Sequence, residues 1–572
     1  MIRTTALAVA LILAGETSPS AAFLPSAARA GLGRRAPVMC SFRRPSRGPV
    51  LGVRMDDGGA AAPDFNDIAL DTETVFDGGF LPGGSDFIVN ELLKDIDELS
   101  TTEARLRREG AMMVLEKIRL GSIRDDLPPA DLPPAPVGGE KMSVIAKKLA
   151  GRNGPTVWGE FGALAAQTKG VNLGQGFPNW DPPQFVRDAA IEAIMEGSHQ
   201  YTRSAGHPSL ISLLAARYSM HLGRSVQPES EVAVTVGASQ ALFVSLQVLI
   251  EQDDEVILME PFFDLYLGQI RLAGGTPRFV PLEVSSDGAW TLDIAKLRAA
   301  ITPKTRVLIL NSPHNPTGKV FTHDELRAIA EVVRENPRVW VISDEVYKYI
   351  VHSPPAQKQD AGKLASGGHS HFANMPGMWE RTLTVSSAGK TFSVTGWQVG
   401  WVVGPSKLVR DIQTLLPYVQ FCAATPMQEA LTRVLRKADQ PYEGSISYYD
   451  HLRSDYKRKR DLLAEALEAG GIIPMRGEGG FFLIGDTRNL KVPSKYLEES
   501  TPAIEAMSRD WALCRWLAIE HGVCAIPCSP FYSPENRHLA QNFVRFAFCK
   551  TDETLLAAKV ALSKVPRQDP IE

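Results

Sequence analysis

Lys390 lies where an apolar, β-branched run, residues 382–385, meets the small residues Ser387, Ala388 and Gly389. This pattern predicts a strand that enters a tight turn with the lysine at the turn. A lysine amine acts as a nucleophile only when it is neutral, and its ordinary pKa is about 10.4. A site that uses the amine must therefore bury it or hold a second cation nearby. A surface lysine in a loop is the alternative, and the rest of the chain decides between the two.

A second strand end is rich in small residues. Residues 231–236 predict a strand, and Gly237 and Ser239 then open a helix. The free N–H groups and the dipole of a helix N-terminus favour an anion such as a phosphate. A serine-capped helix is the structural alternative. The stretch also approaches the Gly-x-Ser-x-Gly pattern of hydrolases, but Ala241 replaces the last glycine and no His and Asp partners stand out.

Two further strand ends carry polar side chains. Asn315 lies in an Asn-Pro-Thr-Gly stretch after the predicted strand 306–310, and Asp344 and Tyr347 follow the predicted strand 339–343. Open α/β sheets bind ligands at the carboxyl ends of their strands. A carboxylate at the end of a buried strand is unfavourable unless it pairs with a cation, for example a protonated ring nitrogen. An aspartate that caps the following turn is the alternative.

The four strand ends together indicate one ligand, pyridoxal 5'-phosphate. Its phosphate needs an anion site, its pyridinium needs an acid, its ring oxygen needs hydrogen-bond donors, and its aldehyde needs a lysine. This agreement favours a reactive Lys390 over the surface-lysine alternative.

The elements that position these residues predict an α/β fold. Helical patterns alternate with short apolar runs, which favours a mostly parallel central sheet. Helices predicted at 448–469 and 504–521 and strands at 481–484 and 543–548 fit a smaller α+β domain. We therefore expect a presequence at 1–55, an extension with amphipathic helices and a Pro-rich linker at 56–140, the N-terminal part of the small domain at 141–185, the large cofactor-binding domain at 186–440, and the C-terminal small domain at 441–572.

The N-terminal segment has the composition of a targeting sequence. Arg3 precedes an apolar stretch, residues 6–14, that is too short to cross a bilayer and fits a signal-peptide core. Residues 24–55 contain several arginines and no acidic residue, which is typical of a transit peptide. The pair resembles the bipartite presequence of algae with complex plastids, so we expect a plastid protein. A mitochondrial or a secreted protein is the alternative.

Composition excludes several classes of partner. With 44% hydrophobic and 22% charged residues and a formal net charge of -4, the chain is ordinary for a soluble globular protein and does not resemble a general nucleic-acid or membrane-surface binder. Cys524 and Cys528 have no second pair at zinc-ligand spacing, so no metal site is expected.

Residues from about 150 to the C-terminus resemble the class I/II, fold-type I aminotransferases. The resemblance is greatest to kynurenine aminotransferase, glutamine transaminase K and cysteine-S-conjugate β-lyase. It implies a large α/β/α domain, a smaller α+β domain and a homodimer. The motifs that carry it are residues 171–178, 200–202, 260–264, the Asn-Pro-Thr-Gly stretch at 315–318, and residues 343–347, 387–393 and 544–546.

The resemblance also implies roles for individual residues. Lys390 binds the cofactor's aldehyde and moves the α-proton, Asp344 pairs with the ring nitrogen, and Tyr347 bonds the ring oxygen. The other cofactor-binding residues are Ala238, Ser239, Gln240, Phe263, Asn315, Ser387, Gln398 and Tyr201. The substrate-binding residues are Gly176, Trp158, Asn315, Phe421 and Arg545, some of the aromatic ones reaching across from a second subunit. For Trp158 and Phe421, core packing is the alternative.

One position departs from the family pattern. Eight residues after the lysine, the family has Lys or Arg beside the phosphate, whereas this chain has Gln398. A charged hydrogen bond contributes about 1.5–3 kcal/mol and a neutral one about 0.5–1.5 kcal/mol. We therefore expect cofactor binding about tenfold weaker than with a cation at this position.

The resemblance implies transamination between an amino acid and a 2-oxo acid. It favours kynurenine, aromatic residues, methionine or glutamine as donors, with β-lyase activity on cysteine conjugates. The alternatives are an aminotransferase of aspartate or other specificity, a cofactor-binding scaffold, and a Ser-x-x-Lys hydrolase built on Ser387 and Lys390. The hydrolase lacks the Ser-Asp-Asn and Lys-Thr-Gly motifs elsewhere in the chain.

Overall fold

The structure of the chain is a computed structural model that describes residues 155–352, 368–504 and 506–566. All of these residues belong to one compact unit, Met142–Glu572. The predicted presequence and the amphipathic segment at 56–140 lie outside the described residues. No described helix is both long enough and apolar enough to span a membrane.

Fifteen strands and fourteen α-helices follow one another along the described residues. The strands are β1 (Val171–Asn172), β2 (Val232–Val236), β3 (Glu255–Glu260), β4 (Thr276–Pro281), β5 (Glu283–Val284), β6 (Trp290–Thr291), β7 (Thr305–Asn311), β8 (Trp340–Asp344), β9 (Thr382–Ser387), β10 (Val399–Val403), β11 (Ile473–Pro474), β12 (Phe482–Asp486), β13 (Val523–Cys524), β14 (Ile526–Pro527) and β15 (Phe543–Ala547). The helices are α1 (Val157–Thr168), α2 (Gln184–Met195), α3 (Pro208–Leu222), α4 (Pro228–Glu231), α5 (Gly237–Leu249), α6 (Leu265–Leu272), α7 (Ile294–Ala300), α8 (His323–Glu335), α9 (Ser406–Val419), α10 (Thr425–Ala438), α11 (Tyr448–Ala469), α12 (Ser494–Leu497), α13 (Arg509–His521) and α14 (Asp552–Leu562).

The central sheet has seven strands in the order β2-β10-β9-β8-β7-β3-β4. Only β10 runs antiparallel to its neighbours, so the mostly parallel sheet that the alternating pattern predicts is confirmed. Successive residues of a strand point to opposite faces. Both faces of this sheet are buried: Val234 and Leu308 pack into one hydrophobic cluster, and Ala233 and Ile309 pack into the other. This double burial explains why the strands read as continuous apolar runs.

A smaller sheet is formed near the C-terminus by β11, β12, β15 and β14, all antiparallel. The pair β1 and β13 lies apart from it and is parallel. The predicted helix over 504–521 is wrong at its start, since α13 begins at Arg509. Ser508 has an extended backbone, and Thr501 and Ile504 pair with each other in an isolated bridge instead of joining the helix.

The register of the central sheet brings the predicted site together. Asn311 at the end of β7 pairs with Asp344 at the end of β8, and Asp344 pairs with Val385 on β9. Because these strands are parallel, their carboxyl ends lie at one edge. Lys390 follows the end of β9 and Asn315 follows the end of β7, so both reach the same edge as Asp344.

Candidate active site

A cleft with a volume of about 220 Å³ lies at this edge of the central sheet. Most of the residues that the sequence pattern and the resemblance indicated line it. These are Trp158, Gly176, Ala238, Ser239, Phe263, Asn315, Asp344, Tyr347, Ser387, Lys390, Gln398 and Arg545. Tyr201, Gln240 and Phe421 do not line the cleft.

The Lys390 amine lines the cleft and is largely shielded from water. Its Nζ donates a hydrogen bond to the Gly176 carbonyl at 3.3 Å. Loss of hydration lowers the pKa of Lys390 below its ordinary value, and the Arg545 cation lowers it further, while Cys549 and Asp344 act in the opposite direction. A lysine with a lowered pKa is more often neutral at physiological pH, which a nucleophile or a general base requires.

The Asp344 carboxylate is buried and faces the cleft without a cationic side chain hydrogen-bonded to it. The Tyr266 hydroxyl donates to Oδ2 at 2.6 Å, and the Val346 N–H donates to Oδ1 at 3.3 Å. Burial raises the pKa of Asp344 to about 6, although these two hydrogen bonds favour its ionised form. A cationic ring nitrogen in the cleft would supply the missing positive charge.

The sequence pattern did not indicate Tyr266. Tyr266 lies in the first turn of α6, and its N–H donates to the carbonyl of Phe263, which precedes the helix, at 3.1 Å. In the structure, the two aromatic rings meet edge to face, with centroids 5.7 Å apart.

Arg545 is a buried cation that has no carboxylate partner among the described residues. It is 1% exposed on β15, its Nη1 donates to Asn315 Oδ1 at 3.2 Å, and its Nη2 donates to the Gly174 carbonyl at 2.9 Å. Its Nε is buried and unpaired. Burial lowers the pKa of Arg545 to about 10. A buried guanidinium without an anion is suited to bind a carboxylate of a ligand.

Asn315 and Tyr347 are held rigidly beside Asp344. The Asn315 N–H donates to Asn311 Oδ1 at 2.7 Å, and the Asn311 amide donates to the Asp344 carbonyl at 3.0 Å. Tyr347 packs edge-on against Phe481 with ring centroids 5.0 Å apart. Burial raises the pKa of Tyr347 above its ordinary value, so its hydroxyl stays protonated and can donate a hydrogen bond.

The start of α5 forms the anion end of the cleft. Gly237 has φ of +70°, and a side chain there would collide with Gln398. The Gln398 Nε2 donates to the Thr395 carbonyl at 2.5 Å, so its amide lies beside the helix start. The cationic side chains that line the cleft are Lys390 and Arg545, and their hydrogen bonds go to Gly176, Asn315 and Gly174, none of which belongs to this turn. An anion here would be bound by backbone N–H groups, serine hydroxyls and an amide.

The three predicted residues outside the cleft have other contacts. The Gln240 side chain accepts a hydrogen bond from the Val236 N–H at 2.7 Å. Tyr201 and Phe421 pack edge to face on the surface, with centroids 4.7 Å apart. They are 80% and 56% exposed. Within a single chain they therefore form an exposed aromatic pair.

Glu345, the neighbour of Asp344, points away from the cleft into the protein. Its carboxylate lies 2.5 Å from His371 Nδ1 and 3.2 Å from His369 Nε2, and it accepts a hydrogen bond from Ser343 at 2.8 Å. The ligand atoms of Glu345, His369 and His371 lie within 4.8 Å of one another. This cluster is separate from the cleft.

The residues that line the cleft fit a phosphorylated aromatic cation with an aldehyde. The start of α5 suits a phosphate, Asp344 suits a pyridinium, and Lys390 suits the aldehyde. Arg545 remains for the carboxylate of a second, smaller ligand. This fit rests on buried charged groups that form no ion pair with the described residues.

Comparisons with known proteins point to one family. The family model for aminotransferases of class I and II matches residues 168–562, a range that contains every residue lining the cleft except Trp158. A kynurenine–oxoglutarate transaminase from Dictyostelium discoideum is 43% identical over 429 residues, covering 72% of this chain and 95% of that relative. Kynurenine–oxoglutarate transaminase 3 from Homo sapiens is 38% identical over 426 residues, covering 72% of this chain and 88% of that relative. The solved structure of YbdL from Escherichia coli, described with a methionine aminotransferase function, is 31% identical with a TM-score of 0.63, covering 74% of this chain and all of that one.

Proposed function

The chain belongs to the class I and II aminotransferases, and we propose that it uses pyridoxal 5'-phosphate to transfer the amino group of kynurenine, an aromatic amino acid, methionine or glutamine to a 2-oxo acid. The observation that carries the proposal is the convergence of Asp344, Lys390 and Arg545 on one cleft, each buried or shielded and each without an ion-pair partner among the described residues. Fold-type I architecture and aminotransferase activity agree with the fold and with the relatives.

The cofactor's contacts follow from the residues that line the cleft. Ala238, Ser239, Ser387 and Gln398 would hold its phosphate, and Asp344 would hold its ring nitrogen. Asn315 and Tyr347 would donate to its ring oxygen, and Phe263 would pack on its ring. When bound, the cofactor supplies an aldehyde that condenses with amines and a ring that withdraws electrons from the α-carbon of the amino acid.

The protein's own groups would provide binding and proton transfer. The Arg545 guanidinium would hold the α-carboxylate of the substrate and thereby orient the α-carbon. The Lys390 Nζ, whose pKa is lowered, would take the proton from this α-carbon and, in the second half of the reaction, would give a proton to the α-carbon of the 2-oxo acid. Asp344 would keep the positive charge on the ring nitrogen, and Tyr266 would hold the Asp344 carboxylate in place.

The substrate preference is supported by the charges in the cleft. Arg545 and Lys390 are the cations that line it, so a side-chain carboxylate of aspartate has no second arginine there. The aromatic side chains Trp158 and Phe482 lie over the Arg545 guanidinium, 5.0 and 4.1 Å from its centre, and provide apolar surface beside the carboxylate site. Aromatic and uncharged donors suit this surface better than aspartate.

A donor screen tests the proposal. The chain without residues 1–55 would be incubated with single amino acids and a panel of 2-oxo acids, and the absorbance band of the bound cofactor would be recorded. We expect the band to shift on addition of kynurenine or phenylalanine, with turnover, and to shift much less with aspartate. Absence of any band would contradict the proposal, and a band that never shifts would favour a cofactor-binding scaffold.

We also propose that two copies of the chain form a homodimer. Tyr201 and Phe421 are predicted site residues that a single chain leaves exposed, and Tyr418 nearby in sequence is 87% exposed. Exposed aromatic clusters of this kind favour an interface. Sedimentation velocity should give a mass twice that of the chain. The double variant Tyr201→Ser, Phe421→Ser should shift the measured mass toward that of a single chain.

For localisation we propose a plastid, on the sequence of residues 1–55 alone. A fluorescent protein fused behind residues 1–60 should collect in plastids of an alga with complex plastids. Collection in mitochondria or secretion would support the alternative destinations.

A further inference from the structure

Lys550 is a second buried cation that has no carboxylate partner among the described residues. It is 3% exposed, follows β15, and does not line the cleft. Its Nζ donates to the Gln175 carbonyl at 3.0 Å and to the Phe177 carbonyl at 2.9 Å. Burial lowers its pKa. A buried ammonium is unfavourable unless its hydrogen bonds are satisfied. These two carbonyls are therefore the main compensation for the hydration that the Lys550 ammonium loses.

Gly176, which lies between Gln175 and Phe177, contacts the cleft and Lys390. Gly176 lines the cleft, and its carbonyl accepts the hydrogen bond from Lys390 Nζ. The preceding Gly174 carbonyl accepts from Arg545 Nη2. The segment 174–177 thus touches the lysine and the arginine on one side and Lys550 on the other.

The direction of the Gly176 N–H follows from peptide geometry. In a trans peptide, the N–H points opposite to the C=O of the same unit. The Gln175 carbonyl points to Lys550, so the Gly176 N–H points away from Lys550. Gly176 lines the cleft and Lys550 does not, so this N–H faces the cleft. It has no hydrogen-bond acceptor among the described residues.

We propose that Lys550 is a positioning residue for the substrate carboxylate, because it orients and polarises the Gln175–Gly176 peptide so that the Gly176 N–H donates to that carboxylate beside Arg545. Hydrogen bonding to the carbonyl end of an amide strengthens the N–H end as a donor. The inference rests on the proposed function for the identity of the ligand, a 2-amino or 2-oxo carboxylate.

A second attachment keeps the segment folded without Lys550. Asn179 Oδ1 accepts from the Thr551 N–H at 2.8 Å, and its amide donates to Thr554 at 3.0 Å. Ala547 N–H also donates to the Leu173 carbonyl at 2.7 Å. A change at Lys550 should therefore move the orientation of one peptide and leave the fold of the segment in place.

The test compares Lys550→Met with Lys559→Met in the full-length chain loaded with cofactor. Lys559 lies on α14 and pairs with Glu465 at the surface, so it is a matched control. Two ligands that cannot react would be titrated by calorimetry: 3-phenylpropionate has a carboxylate and no amine, and benzyl alcohol has neither. We expect Lys550→Met to weaken the binding of 3-phenylpropionate about tenfold. We expect the affinity of Lys550→Met for benzyl alcohol to change by less than about twofold. Lys559→Met should leave the affinities for both ligands unchanged.

Kinetics provide a second readout. Lys550→Met should raise KM for the amino acid and for the 2-oxo acid by about tenfold, with kcat changed by less than about threefold. Unchanged affinity for 3-phenylpropionate, or an equal loss for both ligands, would overturn the proposal. If Lys550→Met does not accumulate as folded protein, Lys550→Gln is the substitute, and it should weaken the binding of 3-phenylpropionate by about threefold. An unchanged affinity in Lys550→Gln would overturn the proposal in the same way. Failure of the proposed function would be seen separately, as a wild-type protein without turnover, because the binding titrations require none.

Discussion

Residues 344–348 form one turn with two chemically different sides. Asp344 and Tyr347 face the cleft, whereas Glu345 and Lys348 face the interior. Both sides are buried and both carry a carboxylate. The difference between them lies in how each charge is compensated.

On the interior side, each charge has a partner within the protein. Glu345 is surrounded by Ser343, His369 and His371, and the two histidines hold its pKa well below the ordinary value despite burial. The Lys348 ammonium donates to Tyr218 at 2.8 Å, and its electrostatic interaction with Glu345 supports its charged form. A divalent cation among Glu345 and the two histidines would add positive charge beside Lys348. The spacing of the three ligands is therefore better explained by a structural ion network.

On the cleft side, the described residues form no ion pair with the charged groups. Asp344 is bonded to a neutral tyrosine and a backbone N–H, and Arg545 is bonded to a neutral amide and a carbonyl. A buried charge that is compensated inside the chain indicates a structural role, whereas a buried charge without an ion pair indicates a ligand site. Variants on the two sides should therefore affect different properties.

The largest effect is expected on the cleft side, from Lys390→Ala. Loss of the base should slow exchange of the substrate α-proton by about 10⁴-fold, while the melting temperature changes by only a few degrees. Proton exchange in D₂O followed by NMR, with circular dichroism melts, would measure both. Lys495→Ala, at a surface ion pair with Glu520, is the control and should change neither. Proton exchange near the wild-type rate in Lys390→Ala would contradict its role as the base.

On the interior side, Glu345→Gln should mainly reduce stability. Removing one member of a buried ion network typically costs about 3–5 kcal/mol, because the remaining charge stays buried. Urea unfolding would measure the loss. The exchange rate of the α-proton per folded molecule should fall by less than about tenfold. A stable variant with an inactive site would reverse the assignment of the two sides.

Asp344→Asn should have the opposite effect on the stability of the cofactor-free protein. The folded pKa of Asp344 is raised to about 6 from an ordinary 3.8, so the folded state binds the proton more tightly than the unfolded state. Its contribution therefore favours folding at low pH and is lost as pH rises from about 4 to about 6. At pH 7, Asp344→Asn should stabilise the cofactor-free protein by up to about 3 kcal/mol. Urea unfolding at pH 4, 5, 6 and 7 would show this, and a variant less stable than wild type at pH 7 would contradict it.

The smallest effect is expected from Gln398→Lys at the anion end of the cleft. A cation there should tighten cofactor binding about tenfold, since a charged hydrogen bond replaces a neutral one. Dialysis against buffer, followed by absorbance of the retained cofactor, would measure it. Gln398→Met is the matched variant without a hydrogen bond and should release cofactor faster than wild type. Equal retention in wild type and Gln398→Lys would contradict the assignment of Gln398 to the phosphate.

Much of the fold follows from local sequence patterns. The central strands are apolar, β-branched runs, and α8 begins at a capping box formed by Thr322 and Glu325. The start of α13 shows where the periodicity fails, because the predicted helix begins at Ile504, whereas Ile504 pairs with Thr501 in a local bridge and Ser508 has an extended backbone. Pairings across long stretches of chain leave no such local signal.

The residues that can do the chemistry are identifiable from the sequence: a lysine after a small-residue turn, an aspartate and an asparagine after buried strands, a glycine turn before a helix, and a glutamine where the family has a cation. Residue type and strand-end position carry that information locally. How the charges of these residues are compensated follows from the folded structure alone. The bonds from Tyr266 to Asp344, from Arg545 to Asn315, and from Lys550 to the Gln175 and Phe177 carbonyls join residues far apart in the chain. Whether a buried charge is compensated or left for a ligand depends on those distant contacts, because electrostatic compensation is a property of neighbours in space.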